Sequence, residues 1–148
     1  MKKDTKAGTE LTVGVDLGDR WSRYCVLDEH GKVLEEDTVA TTGRAFRKLF
    51  TERPSAQVVI EVETHSPWVQ RLLQELGHET ITANPRYVRL IYSSGSKNDQ
   101  LDAERLARLA RVDPKLLHPI QHRGGTAQAD RALLRSRNAL VECRTKLI

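Results

Sequence analysis

Four carboxylates stand out by type and position: Asp16, Glu61, Asp99 and Asp102. Asp16 ends the run Leu11-Thr12-Val13-Gly14-Val15-Asp16, and Glu61 ends Val58-Val59-Ile60-Glu61. Short apolar, β-branched runs of this kind read as strands. Asp99 and Asp102 lie three residues apart at a helix start, hence on one helix face, with Ser96 placed to cap that helix. Four acids converging on one sheet edge repel, and each ionised pair raises the pKa of one partner. Divalent cations remove that penalty. Mg²⁺ favours a few carboxylates plus waters and phosphate oxygens. Two such ions roughly 4 Å apart clamp the attacking and leaving oxygens of a phosphodiester. Taken singly, the acids have plainer readings: Asp16 a turn former, Glu61 a solvated edge residue, Asp99 a first-turn residue complementing the helix dipole. Their combination in one order of elements carries the argument. Glu63, two residues beyond Glu61, shares its face if the strand persists.

The elements that must position these acids follow from pattern. Leu11–Asp16, Ser22–Leu27 and Lys32–Ala40 read as three strands, joined by Leu17-Gly18-Asp19-Arg20 and the hairpin turn Asp28-Glu29-His30-Gly31. Ala45, Phe46, Leu49 and Phe50 then repeat at helical spacing after a Thr41-Thr42 cap, until Pro54. A strand is expected over Ala56–Val62. A helix follows, opened by Ser66 as cap and Pro67 and stopped by Gly77. His78–Ala83 reads as a strand, Asn84-Pro85 to Ile91 as a short helix, Asp99–Val112 as a longer one, broken at Asp113-Pro114. The order β-β-β-α-β-α-β-α predicts an α/β fold with a mixed sheet, three antiparallel strands then parallel ones, as in RNase H-like (RuvC-type) domains. From Ala127 the chain reads helical again, with Leu133, Leu140 and Leu147 seven residues apart: an amphipathic or coiled-coil stripe. The expected organisation is a flexible arm (1–9), a catalytic domain (10–117), and a basic linker leading into a connector helix (118–148).

Of 148 residues, 39% are hydrophobic and 30% charged, enough for one domain with a core. No apolar run approaches the roughly 20 residues of a membrane span, and no h-region follows the charged start. Two distant cysteines, Cys25 and Cys143, exclude a zinc site and read as ordinary thiols of a reducing cytoplasm. Residues 1–117 carry 18 basic and 18 acidic groups; residues 118–148 carry six basic and two acidic, which is the whole net charge of +4. A basic tail suits contact with phosphates, or simply a solvated helix face.

Several blocks resemble the DEDD insertion-sequence transposases, the family of the Piv-type DNA invertases and the bridge-RNA-guided recombinases. They are Val15-Asp16, Val58-Val59-Ile60-Glu61, Thr64-His65-Ser66-Pro67-Trp68, Ala83-Asn84-Pro85 and Lys97-Asn98-Asp99-Gln100-Leu101-Asp102-Ala103. The Lys-x-Asp-x-x-Asp-Ala block with its upstream Asn-Pro is the most specific. The resemblance runs from about Leu11 to Ile148 and departs from the pattern at Asn98 and Glu63. It implies a RuvC-like domain of a DNA transposase or recombinase. Asp16, Glu61, Asp99 and Asp102 would be both the catalytic residues and the Mg²⁺ (or Mn²⁺) ligands. DNA would be the partner, with a guide RNA an open alternative, and the C-terminal helix would join copies into a homo-oligomer. It also implies a second domain with a nucleophilic serine, which this sequence does not reach, so the chain is expected to be the N-terminal part of a longer enzyme.

Lys97, Arg86, Arg89, Arg131 and Arg135 are candidate phosphate contacts, each also readable as an exposed basic residue. Trp68 and Tyr92 can stack on bases, although Trp68 fits a packing role at its helix start; His65 fits a capping or surface role better than proton transfer. Three rival readings remain. Gly14-Val15-Asp16-Leu17-Gly18 matches a nucleotide-binding turn, though weakly. The length fits a standalone junction resolvase of the same fold. The third rival is an inactive nucleic-acid-binding remnant.

Overall fold

A computed structural model describes residues 11–91 and 99–147, the side chains of 89–90 and 99–102 excepted. Five strands form one sheet: β1 (Leu11–Asp16), β2 (Trp21–Leu27), β3 (Val33–Ala40), β4 (Ala56–Glu61) and β5 (Glu79–Ala83), in the order β3-β2-β1-β4-β5. The first three are antiparallel, and β4 and β5 run parallel to β1. This is the RNase H-like arrangement expected above. The β2–β3 turn forms as its residues demand: Gly31 takes φ +79°, and the Asp28 carboxylate accepts from the amides of His30 and Lys32.

Helices cover both faces. On one face α1 (Gly43–Thr51) and α2 (Ser66–Glu75) bury Phe46, Phe50, Val69, Leu72 and Leu73 against Val13, Val15, Val58 and Ile60. On the other, α4 (Asp99–Val112) packs Leu106, Leu109 and Ala110 onto Val59 and Ile81, and Ala103 and Ala107 onto Cys25 and Leu27. Strand alternation therefore sends odd residues of β1 and even residues of β4 to α1 and α2, and the alternate set to α4. A short α3 (Pro85–Ile91) follows β5, capped by the Asn84 side chain as expected.

Thr42 caps α1, its hydroxyl accepting from the Ala45 amide. Ser66 does not cap α2. The helix begins at Ser66 itself, with His65 in the cap position and no side-chain cap bond. The Ser66 hydroxyl instead closes the loop after β4: it donates to the Glu63 carbonyl (2.7 Å), accepts from the Glu63 amide and lies 2.9 Å from His122 Nε2. The break at Asp113-Pro114 is a single 3₁₀ turn, Pro114–Leu117, where the Asp113 carboxylate accepts from the Lys115 amide. The chain then returns along β5, Ile120 donating to the Thr82 carbonyl, before α5 (Gly125–Lys146). None of the residues of α5 is buried. No helix among the described residues is long and apolar enough to cross a membrane.

Two buried groups beside β1 set the pH response. Burial and the bond to Glu35 push Tyr24 from 10.0 up to about 12, and burial pushes Cys25 from 9.0 up to about 12. The Tyr24 hydroxyl, then Arg53, hold the Glu35 carboxyl below its ordinary range. Raised groups favour the fold below their unfolded pKa and lose that stability as pH climbs toward the folded value; the depressed Glu35 contributes above the carboxylate range and is lost as pH falls. Urea midpoints should therefore decline from about pH 9 upward, as Cys25 and then Tyr24 titrate. Tyr24→Phe should flatten the decline above pH 10 and weaken the acid-side loss; an unchanged profile would exclude this network.

Candidate active site

Register brings Asp16 and Glu61 together. In the parallel β1–β4 pair Gly14 lies opposite Val59 and Val15 opposite Ile60, so Asp16 and Glu61 end adjacent strands at the same level. Asp16 has the parity of Gly14 and Glu61 that of Val59, so both carboxylates sit on the α4 face. Both are half-buried, at the carboxyl edge of the sheet.

Helix α4 starts beside them. Its backbone crosses β1 so closely that a Cβ on Gly14 would stand 1.9 Å from the Ala103 carbonyl oxygen and 2.8 Å from the Ala107 nitrogen. Further along, Arg108 and Arg111 donate to the carbonyls of Gly31 and Glu29 in the β2–β3 turn, at the opposite edge from Asp16. The helix thus runs antiparallel to β1. Its start, Asp99, precedes the crossing by four residues, about 6 Å of helix; Asp16 follows Gly14 by two residues, about 7 Å of strand. The first turn of α4, carrying Asp99 and Asp102, therefore begins at the level of Asp16 and Glu61. The side chains of Asp99 and Asp102 lie outside the described residues, as do Lys97, Tyr92 and the side chain of Arg89. Among the described residues no group of three or more His, Cys, Asp or Glu is placed to hold a metal.

The turn after Asp16 is pinned by hydroxyls. Thr41 Oγ1 donates to the Gly18 carbonyl (2.7 Å) and lies 2.8 Å from Ser22 Oγ. Gly14 is thus covered by a helix backbone and Gly18 is tied to Thr41, which leaves the Gly14–Gly18 run no open phosphate cradle and argues against the nucleotide-binding reading. His65 accepts from Trp68 Nε1 (3.2 Å), and its Nε2 is 4.0 Å from Asp19. Trp68 packs edge-on against Phe46, the packing role its sequence position suggested. Arg86, Arg131 and Arg135 are exposed, the first on α3 and the others on α5. Glu63 lies past the strand end in the Ser66 loop, and its Oε2 is buried without a hydrogen-bond partner among the described residues.

Two residues at this edge escaped sequence reasoning. Arg23 is the cross-strand partner of Asp16, and Trp21, 64% exposed, shares its face. Opposite charges so placed contribute roughly 0.2–1 kcal/mol. The alternation of Trp21 and Arg23 with buried Ser22 was the available clue.

Two acids thus end adjacent strands of an RNase H-like sheet, on the face of a helix that starts at their level. The sequence matches the family model described as Transposase, the DEDD type of IS110 elements, over residues 13–148, and the chain belongs to that family. No curated protein sequence matches it. Among solved structures, RuvC of Thermus thermophilus is similar at 14% identity, covering 70% of this chain and 96% of that one with a TM-score of 0.49. RuvC of T. thermophilus in complex with a Holliday junction substrate is similar at 16% identity, covering 66% and 90%, with a TM-score of 0.48.

The Gly14 crossing gives a direct test. Gly14→Ala must push α4 off β1 and should lower the unfolding free energy by about 3 kcal/mol or more, the upper range for overpacking. Gly43→Ala, where an added Cβ meets nothing within 4 Å, should be neutral or slightly stabilising. Equal urea midpoints for the two variants would refute the close approach.

Proposed function

We propose that this domain carries out Mg²⁺-dependent phosphodiester chemistry on DNA as the RuvC-type part of a transposase. The observation that carries this reading is the pairing of Asp16 and Glu61 on one sheet face, beside the start of α4. Asp16, Glu61, Asp99 and Asp102 would hold Mg²⁺ or Mn²⁺. The donor set fits: all are hard carboxylate oxygens, and the unpartnered Glu63 Oε2 leaves a further acceptor two residues beyond Glu61. Once bound, the metal would supply Lewis-acid stabilisation of charge on the phosphate. The chain's own part is positional. The strand register fixes the spacing of Asp16 and Glu61, the Thr41–Ser22 hydroxyls hold the turn beside them, and Arg23 offsets negative charge at the edge.

In this reading residues 10–117 are the catalytic body and 118–148 a basic linker and connector helix. Along α5, Leu133, Leu140 and Leu147 are 73%, 72% and 87% exposed. A heptad stripe left bare at this level favours pairing with another copy of the helix.

Calorimetric titration with Mg²⁺ and thermal melting test the metal site. At 100 times its dissociation constant the ion should stabilise the native chain by about 2.7 kcal/mol. Asp16→Asn/Glu61→Gln should bind none and be no less stable without metal, since one repulsion is gone. Equal binding by that variant would sink the assignment. For α5, sedimentation should show concentration-dependent association that Leu133→Lys/Leu140→Lys abolishes; a monomeric native chain at high concentration would remove the oligomer from the proposal.

A further inference from the structure

The face opposite α4 carries a feature that the acidic edge does not use. Between α1 and α2 runs a groove of about 480 Å³, walled by Arg44, Arg47, Trp68, Arg71, Leu72 and Glu75. Three guanidinium groups stand against one carboxylate. Arg47 already pairs with Glu75 at 3.3 Å, which neutralises one end. Arg71 is held by a neutral partner, donating to Gln128 Oε1 at 3.0 Å. Arg44 makes no ion pair among the described residues.

The groove opens where the acids are. Helix α1 follows the end of β3, whose Ala40 pairs with Trp21, and α2 follows the end of β4. Both helices therefore start at the carboxyl edge that holds Asp16 and Glu61, but cover the other face. Their N-terminal ends add positive potential to the mouth. The Trp68 wall is rigid, fixed by the bond to His65 and by the ring of Phe46. Past Arg71 the positive line continues onto α5, where Arg131 and Arg135 lie three and seven residues after Gln128 and so on its face. Leu133, Leu140 and Leu147 fall about a third of a turn away, so this line stays clear of the apolar stripe.

We propose that the α1–α2 groove binds the phosphate backbone of duplex DNA leaving the acidic edge, with Arg44 and Arg71 as its phosphate contacts and Arg131 and Arg135 extending the track. The inference rests on the acidic edge being a DNA site. Charge complementarity selects a polyanion, and continuity with the edge selects the DNA already held there. The groove adds affinity without reading sequence, because guanidinium–phosphate contacts position the duplex and carry no base information.

The test is fluorescence anisotropy with the whole 148-residue chain, Mg²⁺ present, on a labelled DNA duplex over a salt series. Arg44→Gln/Arg71→Gln should weaken binding on the order of tenfold, and the slope of log K against log salt should drop by about 1.8 for two lost phosphate contacts. Gln128→Ala cuts the bond from Arg71 to α5 while keeping the charge, and should bind no more weakly than the native chain does. A double arginine variant with native affinity and slope would overturn the groove; the acidic-edge reading then stands if Asp16→Asn/Glu61→Gln still alters metal-dependent binding. A native chain that binds no DNA overturns both. Arginine-dependent binding of duplex RNA or of an acidic peptide, with DNA unaffected, overturns the assignment to DNA.

Discussion

At Gly14 the backbone of α4 rests on the backbone of β1, and a methyl group there would meet the Ala103 carbonyl oxygen. Few contacts in the molecule have so little freedom. The helix meets the strand through Ala103, Ala107 and Ala110, all buried, so side-chain adjustment cannot absorb a shift. Its far end is tied to the β2–β3 turn by Arg108 and Arg111. A rod held at its middle and at one end has a fixed other end. That other end is the turn bearing Asp99 and Asp102, and it is fixed at the level where β1 and β4 finish. The strand ends and the start of α4 are thus brought level by a missing side chain two residues before Asp16, rather than by contacts among the acids, which repel.

That repulsion explains where the acids stand. Carboxylates inside the core would be costly to ionise, whereas at the sheet edge Asp16 and Glu61 keep partial access to solvent while their strands stay buried. The apolar residues that precede them, Val13 to Val15 and Val58 to Ile60, anchor the strands on both faces. Arg23 opposite Asp16 offers some compensation. The positive groups of the groove lie on the other face, screened from the acids by the layer of the sheet, so opposite signs of potential flank one edge.

Much of this was readable in the sequence because it is local. Short β-branched runs gave the strands, Gly31 and Gly77 the positive-φ turns, Thr42 and Asn84 the caps. The likeness of Lys97–Ala103 to the family block marked Asp99 and Asp102 before any helix was placed. What stayed hidden depends on long-range pairing. Ser66 has the residue type and position of a cap, yet its hydroxyl is taken by Glu63 and by His122, 56 residues away. The exposure of Trp21 follows from a register that no turn residue specifies. The groove exists only because α1 and α2 pack side by side, and its arginines look like ordinary surface charges until then. Gly14 could be seen as a glycine in a strand, which suggests a close backbone approach, but not which element approaches.

The root of α5 joins these pieces. Most helical stability in proteins comes from tertiary packing, and α5 buries nothing along its run. The linker before it and its first turn are nevertheless anchored. Ile120 bonds β5, His122 bonds Ser66 beside the loop that follows Glu61, and Gln128 bonds Arg71 in the groove wall. Burial, and then the nearby Arg71 charge, lower the pKa of His122, whose Nε2 lies 2.9 Å from the Ser66 hydroxyl. The direction of α5 is therefore set by the same loop and the same arginine that border the two surfaces. A partner that covered the leucine stripe would be oriented by the sheet domain, and a polyanion that drew Arg71 away from Gln128 would loosen that orientation. Binding in the groove and the placing of α5 are then linked through a single guanidinium group.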